Sequence, residues 1–173
     1  MNVTGADPTH VLQSVFGFEA FRPHQEAVVG RVVQGRDAFL VMPTGGGKSI
    51  CYQLPALVRP GCGIVVSPLI SLMQDQVDAL RQRGVQAAML NSSLGRDQRR
   101  TVREKMTRGE LDLCYVAPER ATRSSFMNLL ERAQLALLAI DEAHCEMQWA
   151  SSMARRASWA RSRRFINDER VAR

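Results

Sequence analysis

The sequence predicts an α/β fold: a mostly parallel sheet flanked by helices on both faces. Three observations lead there. Short apolar runs alternate with longer helix-compatible ones between residues 38 and 140. Those runs are apolar throughout rather than at every second position, as expected of strands covered on both faces. A glycine-rich loop, Met42-Pro43-Thr44-Gly45-Gly46-Gly47-Lys48-Ser49, also joins one such run to a helix-compatible stretch, Ile50 to Leu57. Strand, glycine loop and helix in that order are the setting of a phosphate-binding loop.

The elements follow in order. Asp7-Pro8 reads as a helix cap with proline at the first helical position. Val11, Leu12, Val15 and Phe16 form one apolar stripe, and Gly17 stops that helix. A second helix is expected from Pro23 to Gln34, with Val28, Val29, Val32 and Val33 as its buried face and Gly35 as its stop. Ala38-Phe39-Leu40-Val41 is the strand before the loop. Gly63 to Val66 is a strand, after which Ser67-Pro68 is expected to cap and open a helix carrying Leu69, Leu72, Met73, Val77 and Leu80. Val85 to Leu90 is another strand, and the arginine-rich stretch Gly95 to Thr107 is a solvated helix. Leu111 to Val116 is a strand, Pro118-Glu119-Arg120 a turn, and Ser124-Ser125 caps a helix to Arg132. Leu135 to Ile140 is a continuous apolar strand ending at Asp141-Glu142-Ala143-His144.

Length and composition bound the rest. A chain of 173 residues, 45% hydrophobic, can bury a sizeable core as one domain. It holds no apolar run of transmembrane length and opens on no basic-then-apolar signal pattern. Its four cysteines, at 51, 62, 114 and 145, show no Cys-x-x-Cys spacing. Zinc and a disulfide framework are therefore not expected, and a reduced, cytoplasmic setting fits. The net charge of +6 is concentrated at the end, where residues 150–173 carry seven arginines against Asp168 and Glu169.

The loop residues carry the chemistry. The glycines let backbone N–H groups converge on phosphate oxygens. Lys48 brings a point charge to the outer phosphates, and the Ser49 hydroxyl is placed to ligate Mg²⁺. Only Lys48 and Lys105 are lysine among 23 basic residues, which suggests that a compact ammonium is needed at the loop. The helix that follows adds the positive end of its dipole. Asp141-Glu142 lies directly after a buried strand, and ligands of open α/β sheets bind beyond the carboxyl ends of strands. Asp141 would then hold Mg²⁺, and Glu142 would orient or activate water. Two surface carboxylates after a core strand are the plainer alternative. The phosphate reading requires that Lys48 and Asp141 face one another.

From the loop and the acidic pair onward the chain resembles the RecQ-type helicases of superfamily 2, over residues 8–149. The resemblance implies a RecA-like P-loop domain. Phe16-Gly17-Phe18 with Phe21-Arg22-Pro23-x-Gln25 is similar to that family's adenine-reading motif. By resemblance Gln25 would bond the adenine edge, Phe18 would stack on the base and Arg22 would help hold the nucleotide. Phe18 and Phe21 can also be read as core aromatics. His24 stands where the family commonly has glycine. Met42 to Leu57, with Cys51-Tyr52-Gln53-Leu54-Pro55, resembles the first nucleotide motif. The run from Ser67-Pro68 to Gln76 resembles the motif bordering the DNA path. Asn91-Ser92 and Pro118-Glu119-Arg120 match two short DNA-side motifs, although a cap or turn role suits each equally. Asp141-Glu142-Ala143-His144-Cys145 matches the second nucleotide motif, and Gln148-Trp149 the start of an aromatic-rich loop. The resemblance implies that His144 couples nucleotide state to DNA and that Trp149 touches single-stranded DNA.

The motif-level likeness stops after Trp149. Residues 150–173 are rich in alanine, serine and arginine and are expected to be a disordered or loosely helical basic tail. The expectation is thus an incomplete RecA-like domain over 1–149 that lacks its last strands, in a truncated or frame-shifted product. The resemblance implies ATP and Mg²⁺ as cofactors and single-stranded or forked DNA as partner. It also implies 3′–5′ unwinding coupled to ATP hydrolysis, in repair and recombination. Alternatives are a remnant that binds nucleotide or single-stranded DNA without unwinding, and an unrelated P-loop ATPase.

Overall fold

The computed structural model describes residues 3–43, 45–141 and the backbone of 165–167. Seven helices and six strands alternate in the described residues: α1 (Pro8–Ser14), α2 (Gln25–Val33), β1 (Ala38–Phe39), α3 (Ile50–Val58), β2 (Cys62–Val66), α4 (Ile70–Gln82), β3 (Ala87–Leu90), α5 (Arg96–Thr107), β4 (Leu113–Val116), α6 (Pro118–Ala121), α7 (Ser124–Arg132), β5 (Leu135–Ile140) and β6 (Phe165–Asn167). The strands form one sheet in the order β1-β6-β5-β2-β4-β3. Every pairing in it is parallel.

The two faces divide as the period of a strand dictates. Val65, Leu113, Tyr115, Leu137 and Ala139 point to one side and pack under α1 to α4. Ile64, Val66, Cys114, Val116, Leu138 and Ile140 point to the other and pack under α5 to α7. Strands buried on both sides have no reason to alternate polar and apolar residues, which is why they read as apolar runs. Every residue of α3 is buried. It lies tight on the sheet because Gly63 offers no side chain: a Cβ there would stand 2.5 Å from Ala56 Cβ. That close fit fixes the helix, and with it the loop from which the helix grows.

The expected elements are present with several shifts. The Asp7 cap forms, its carboxylate accepting from the backbone N–H of Thr9 at 2.9 Å and of His10 at 3.1 Å. The second helix starts at Gln25 rather than Pro23, because His24 has φ 70°, a left-handed conformation outside any helix. This also accounts for the glycine common at that position in the resembling family. Ser67-Pro68 does not open the next helix. Leu69 is its extended N-cap and α4 begins at Ile70, while Ser67 stays buried in the turn after β2. Pro118-Glu119-Arg120 is part of the short helix α6 rather than a bare turn, and Arg123, not a serine, precedes α7.

The largest difference is β6. Composition predicts a disordered or loosely helical tail. Instead Phe165–Asn167 lies between β5 and β1, with Leu138 paired to Phe165, Ala139 to Ile166 and Ala38 also to Ile166. Backbone pairing is open to almost any sequence, so composition carries no sign of it.

Candidate functional site: a cavity between the glycine loop and Asp141

The loop after β1 turns through two left-handed glycines, Gly45 at φ 79° and Gly47 at φ 85°. It closes on itself through Gly46 N–H to Pro43 O at 2.9 Å. The first turn of α3 grows straight from it, with Ile50 N–H donating to Gly47 O and Cys51 N–H to Lys48 O. No side chain caps this helix, so its positive end faces the loop.

Two residues brace the loop from the segment before α2. The Arg22 guanidinium donates to Gly45 O at 2.6 Å. Gln25 is only 3% exposed. Its Oε1 accepts from Arg22 N–H at 2.8 Å, and its Nε2 donates to Gly47 O at 2.9 Å. Since a peptide is planar and trans, pinning Gly47 O toward Gln25 turns Lys48 N–H the opposite way. Gln25 keeps one further amide hydrogen and one lone pair for another partner.

A cavity of about 330 Å³ opens beside this brace, within the range of small-molecule sites. Phe18, Arg22, Gln25, Gly45, Gly46, Gly47, Lys48, Ser49 and Asp141 all line it. The loop and the carboxylate that ends β5 therefore meet, as the phosphate reading requires. Asp141 is placed there by continuation of β5, its N–H donating to Val66 O at 2.8 Å. Phe18 is 45% exposed at the rim, whereas Phe21 packs against the core. Of the two aromatics, Phe21 is thus the core one. Ser49 and Asp141 offer only oxygen donors, the set that suits Mg²⁺.

Sequence reasoning missed the residues behind these donors. Tyr52, in the first turn of α3, is buried, and its hydroxyl lies 3.5 Å from Asp141 Oδ2. Burial, then Tyr115 and Asp141, push its pKa well above the ordinary range, so it is a neutral hydrogen-bonding group. Gln53 Nε2 donates both to Tyr115 Oη and to Gln76 Oε1, each at 2.7 Å. Gln76 and Leu72 of α4 complete the cavity wall. The available signal was a Tyr-Gln pair interrupting an apolar helix directly after the loop.

The other expected site residues fall at the same carboxyl edge of the sheet. Ser67 is 1% exposed with its hydroxyl unpartnered, and Pro68 is half-buried. Asn91 is fully buried: its Oδ1 accepts from Ser93 N–H at 3.1 Å, Ser93 Oγ at 2.8 Å and Leu94 N–H at 3.3 Å. Of its two open readings, turn former and DNA contact, the geometry matches the turn former. Ser92 beside it is exposed. Thr44, Glu142, His144, Gln148 and Trp149 lie outside the described residues.

A parallel sheet with a glycine loop and a strand-end carboxylate on one cavity is the architecture of a P-loop domain. Comparison with known proteins agrees: the DEAD/DEAH box helicase family matches residues 22–171, and the chain belongs to that family. The match runs past Trp149 into the tail. Within the family the chain is similar to proteins named ATP-dependent DNA helicase RecQ. That of Haemophilus influenzae is 50% identical over 139 residues, covering 80% of this chain and 22% of the relative. That of Bacillus subtilis is 46% identical over 140 residues, 80% of this chain and 24% of the relative. The ATP-dependent DNA helicase Q1 of Rattus norvegicus is 48% identical over 147 residues, 81% of this chain and 24% of the relative. The chain thus spans about a quarter or less of the length of these relatives. Among solved structures, a hypothetical ATP-dependent RNA helicase from Sulfolobus tokodaii superposes with TM-score 0.70 at 20% identity, over 91% of this chain and 49% of that one. The DUF1998 helicase MrfA bound to DNA and AMPPNP superposes with TM-score 0.74 at 21% identity, over 94% and 26%. These two likenesses bear on the fold alone.

Proposed function

We propose that this chain carries the first motor domain of a RecQ-type ATP-dependent DNA helicase and binds Mg·ATP in the cavity between the glycine loop and Asp141. The observation that supports this most is that Lys48, Ser49 and Asp141 line one cavity. Lys48 supplies charge to the outer phosphates, and the loop amides cradle them. Ser49 and Asp141 hold Mg²⁺, which would neutralise developing charge during phosphoryl transfer. Glu142 orients the attacking water. Phe18 stacks on the base, and the remaining hydrogen-bonding capacity of Gln25 reads the adenine edge. Arg22, bonded to Gly45 O, acts by holding the loop that holds the nucleotide.

DNA runs across the carboxyl edge of the sheet, past Ser67-Pro68 and Ser92, with His144, Gln148 and Trp149 as further contacts. In the relatives' full length we infer 3′–5′ unwinding of single-stranded or forked DNA, in repair and recombination, in the cytoplasm. The domain proposed for this work is 1–149, with 150–173 as a basic extension that lends β6 to its sheet. An arginine from a second domain typically contributes on the order of 10³–10⁵ in rate. The 173 residues by themselves are therefore proposed to bind nucleotide, to hydrolyse it slowly and not to unwind DNA.

The test is thermal melting with Mg·ATP and Mg·GTP, together with ATPase rates with and without single-stranded DNA, for wild type and Lys48→Ala. Stabilisation by ATP over GTP that Lys48→Ala abolishes supports the reading. A wild-type melting temperature indifferent to Mg·ATP refutes it. Robust DNA-stimulated turnover would instead overturn the proposed dependence on a second domain.

A further inference from the structure

Among the described residues β3 is the outermost strand at its end of the sheet, with β4 on one side and no strand on the other. Successive residues of a strand direct their backbone groups to opposite edges. Gln86 O accepts from Leu113 N–H and Leu90 O from Ala117 N–H, so Gln86, Ala88 and Leu90 face β4. Ala87 and Met89 therefore face outward. The chain covers Ala87 itself: its N–H donates to Val85 O at 3.0 Å, and its O accepts from Arg81 Nε at 2.9 Å. Nothing among the described residues covers the N–H and C=O of Met89 in this way.

Helices α4 and α5 flank this edge without closing over it. Between them lies a groove of about 590 Å³ along β3. Met89, Leu94 and Val102 give it a half-buried apolar lining. Its charged lining residues are Arg81 of α4 and Lys105 of α5, and among the described residues no carboxylate lines it. Asp78, 3.9 Å from Arg81, stands outside the lining. Lys105 is exposed and makes no ion pair among the described residues. The groove shares no lining residue with the nucleotide cavity.

We propose that this groove binds an extended segment of a partner protein, mixing apolar and acidic residues, which adds to the sheet as a strand beside β3. An uncovered edge is a template for such pairing. The N–H and C=O of Met89 pair with the backbone of the segment. Its apolar side chains settle against Met89, Leu94 and Val102, and its carboxylates meet Arg81 and Lys105. A second copy of this chain suits the groove less well, because the strand it would offer, Ala87–Leu90, brings no carboxylate to the two cations. A nucleic acid offers phosphates to the cations but no amide backbone to Met89.

The experiment is fluorescence anisotropy of the whole chain with a labelled peptide of alternating valine and aspartate. Two controls accompany it: valine alternating with lysine, and the acidic peptide with a central proline, which lacks a backbone donor. Wild type should bind the acidic peptide and hold each control about tenfold more weakly. The variants are Met89→Pro, which removes an N–H that faces away from β4 and so spares the ladder, and Lys105→Glu. Each should weaken the acidic peptide about tenfold with little change in melting temperature. In wild type the peptide should also slow hydrogen exchange of the Met89 amide. If Met89→Pro fails to fold, Lys105→Glu and the Met89 exchange decide. No saturable binding of the acidic peptide up to about 1 mM overturns the proposal. So do equal affinity for the proline peptide, wild-type affinity in the folded variants, or unaltered exchange at Met89. Oligo-dT that displaces the peptide without slowing Met89 exchange would overturn it in favour of a nucleic acid at the two cations. A concentration-dependent dimer that Met89→Pro abolishes would overturn it in favour of a second copy.

Discussion

Replacing Gly47 with alanine tests the brace that shapes the glycine loop. Gly47 has φ 85°, and an added Cβ would fall on Gln25 Nε2, inside van der Waals contact. The left-handed backbone costs a residue with a side chain about 1–2 kcal/mol. Displacing Gln25 breaks its bond to Gly47 O and strains the one from Arg22 N–H. Because Gln25 is buried, an unsatisfied donor adds roughly 1–3 kcal/mol. Alanine restricts the unfolded chain and returns about 0.4–1 kcal/mol. The net loss is about 2–4 kcal/mol, or roughly 5–15 °C of melting temperature for a chain of this size. Gly84→Ala is the control. Gly84 is also left-handed, at φ 80°, but an added Cβ meets nothing within 4 Å, so only the backbone cost applies and the loss should be about 1 kcal/mol. Circular-dichroism melts with and without Mg·ATP read both effects. Gly47→Ala should melt well below Gly84→Ala and lose its nucleotide shift. Equal melting temperatures for the two variants, with the shift intact, would refute the account of Gln25 as a brace.

The buried polar groups set two more outcomes. Tyr115→Phe removes the hydroxyl that accepts from Gln53 Nε2 at 2.7 Å; urea denaturation should show a loss of about 1–3 kcal/mol, and an unchanged midpoint would mean that this bond carries no stability. Burial pushes Cys114 up to about 12 and Cys51 up to about 11 from an ordinary 9.0, and raises Cys62 as well. A thiol that stays protonated when folded but ionises when unfolded stabilises fully below the unfolded value, and that contribution is lost as pH rises through 9 toward 11–12. The urea midpoint should therefore fall above pH 9, and the three thiols should resist a thiol reagent at neutral pH until the chain unfolds. Rapid labelling of all three in the folded chain would contradict their burial.

What was legible in the sequence was what local physics decides. Asp7-Pro8 fixes the start of α1 because a carboxylate two and three residues from free N–H groups has few other options. Leu135–Ile140 reads as a strand because six consecutive apolar residues, closed by two carboxylates, suit a strand covered on both faces. The glycine loop declares itself because backbone convergence on an anion demands glycine. The brace was not legible in the same way. Gln25 meets Gly47 across 22 residues of sequence and Tyr52 meets Asp141 across 89, and such pairings are set by the packing of α2 and α3 rather than by local pattern. Asn91 shows the converse. As a motif residue it pointed to DNA or to a turn, and its total burial with three accepted hydrogen bonds matches the turn.

β6 lies between the two strands that lead into the cavity. The loop follows β1 and Asp141 follows β5, yet β1 and β5 are not neighbours in the sheet. With strands about 4.8 Å apart, β1 and β5 stand two spacings, roughly 10 Å, apart across the sheet. The strand in the slot must keep β1 and β5 apart in parallel register, and backbone N–H and C=O groups suffice for that. Phe165–Asn167 does so from a segment that holds none of the helicase motifs. The chemistry therefore constrains the residues at the ends of β1 and β5 closely, and the strand between them chiefly through its geometry.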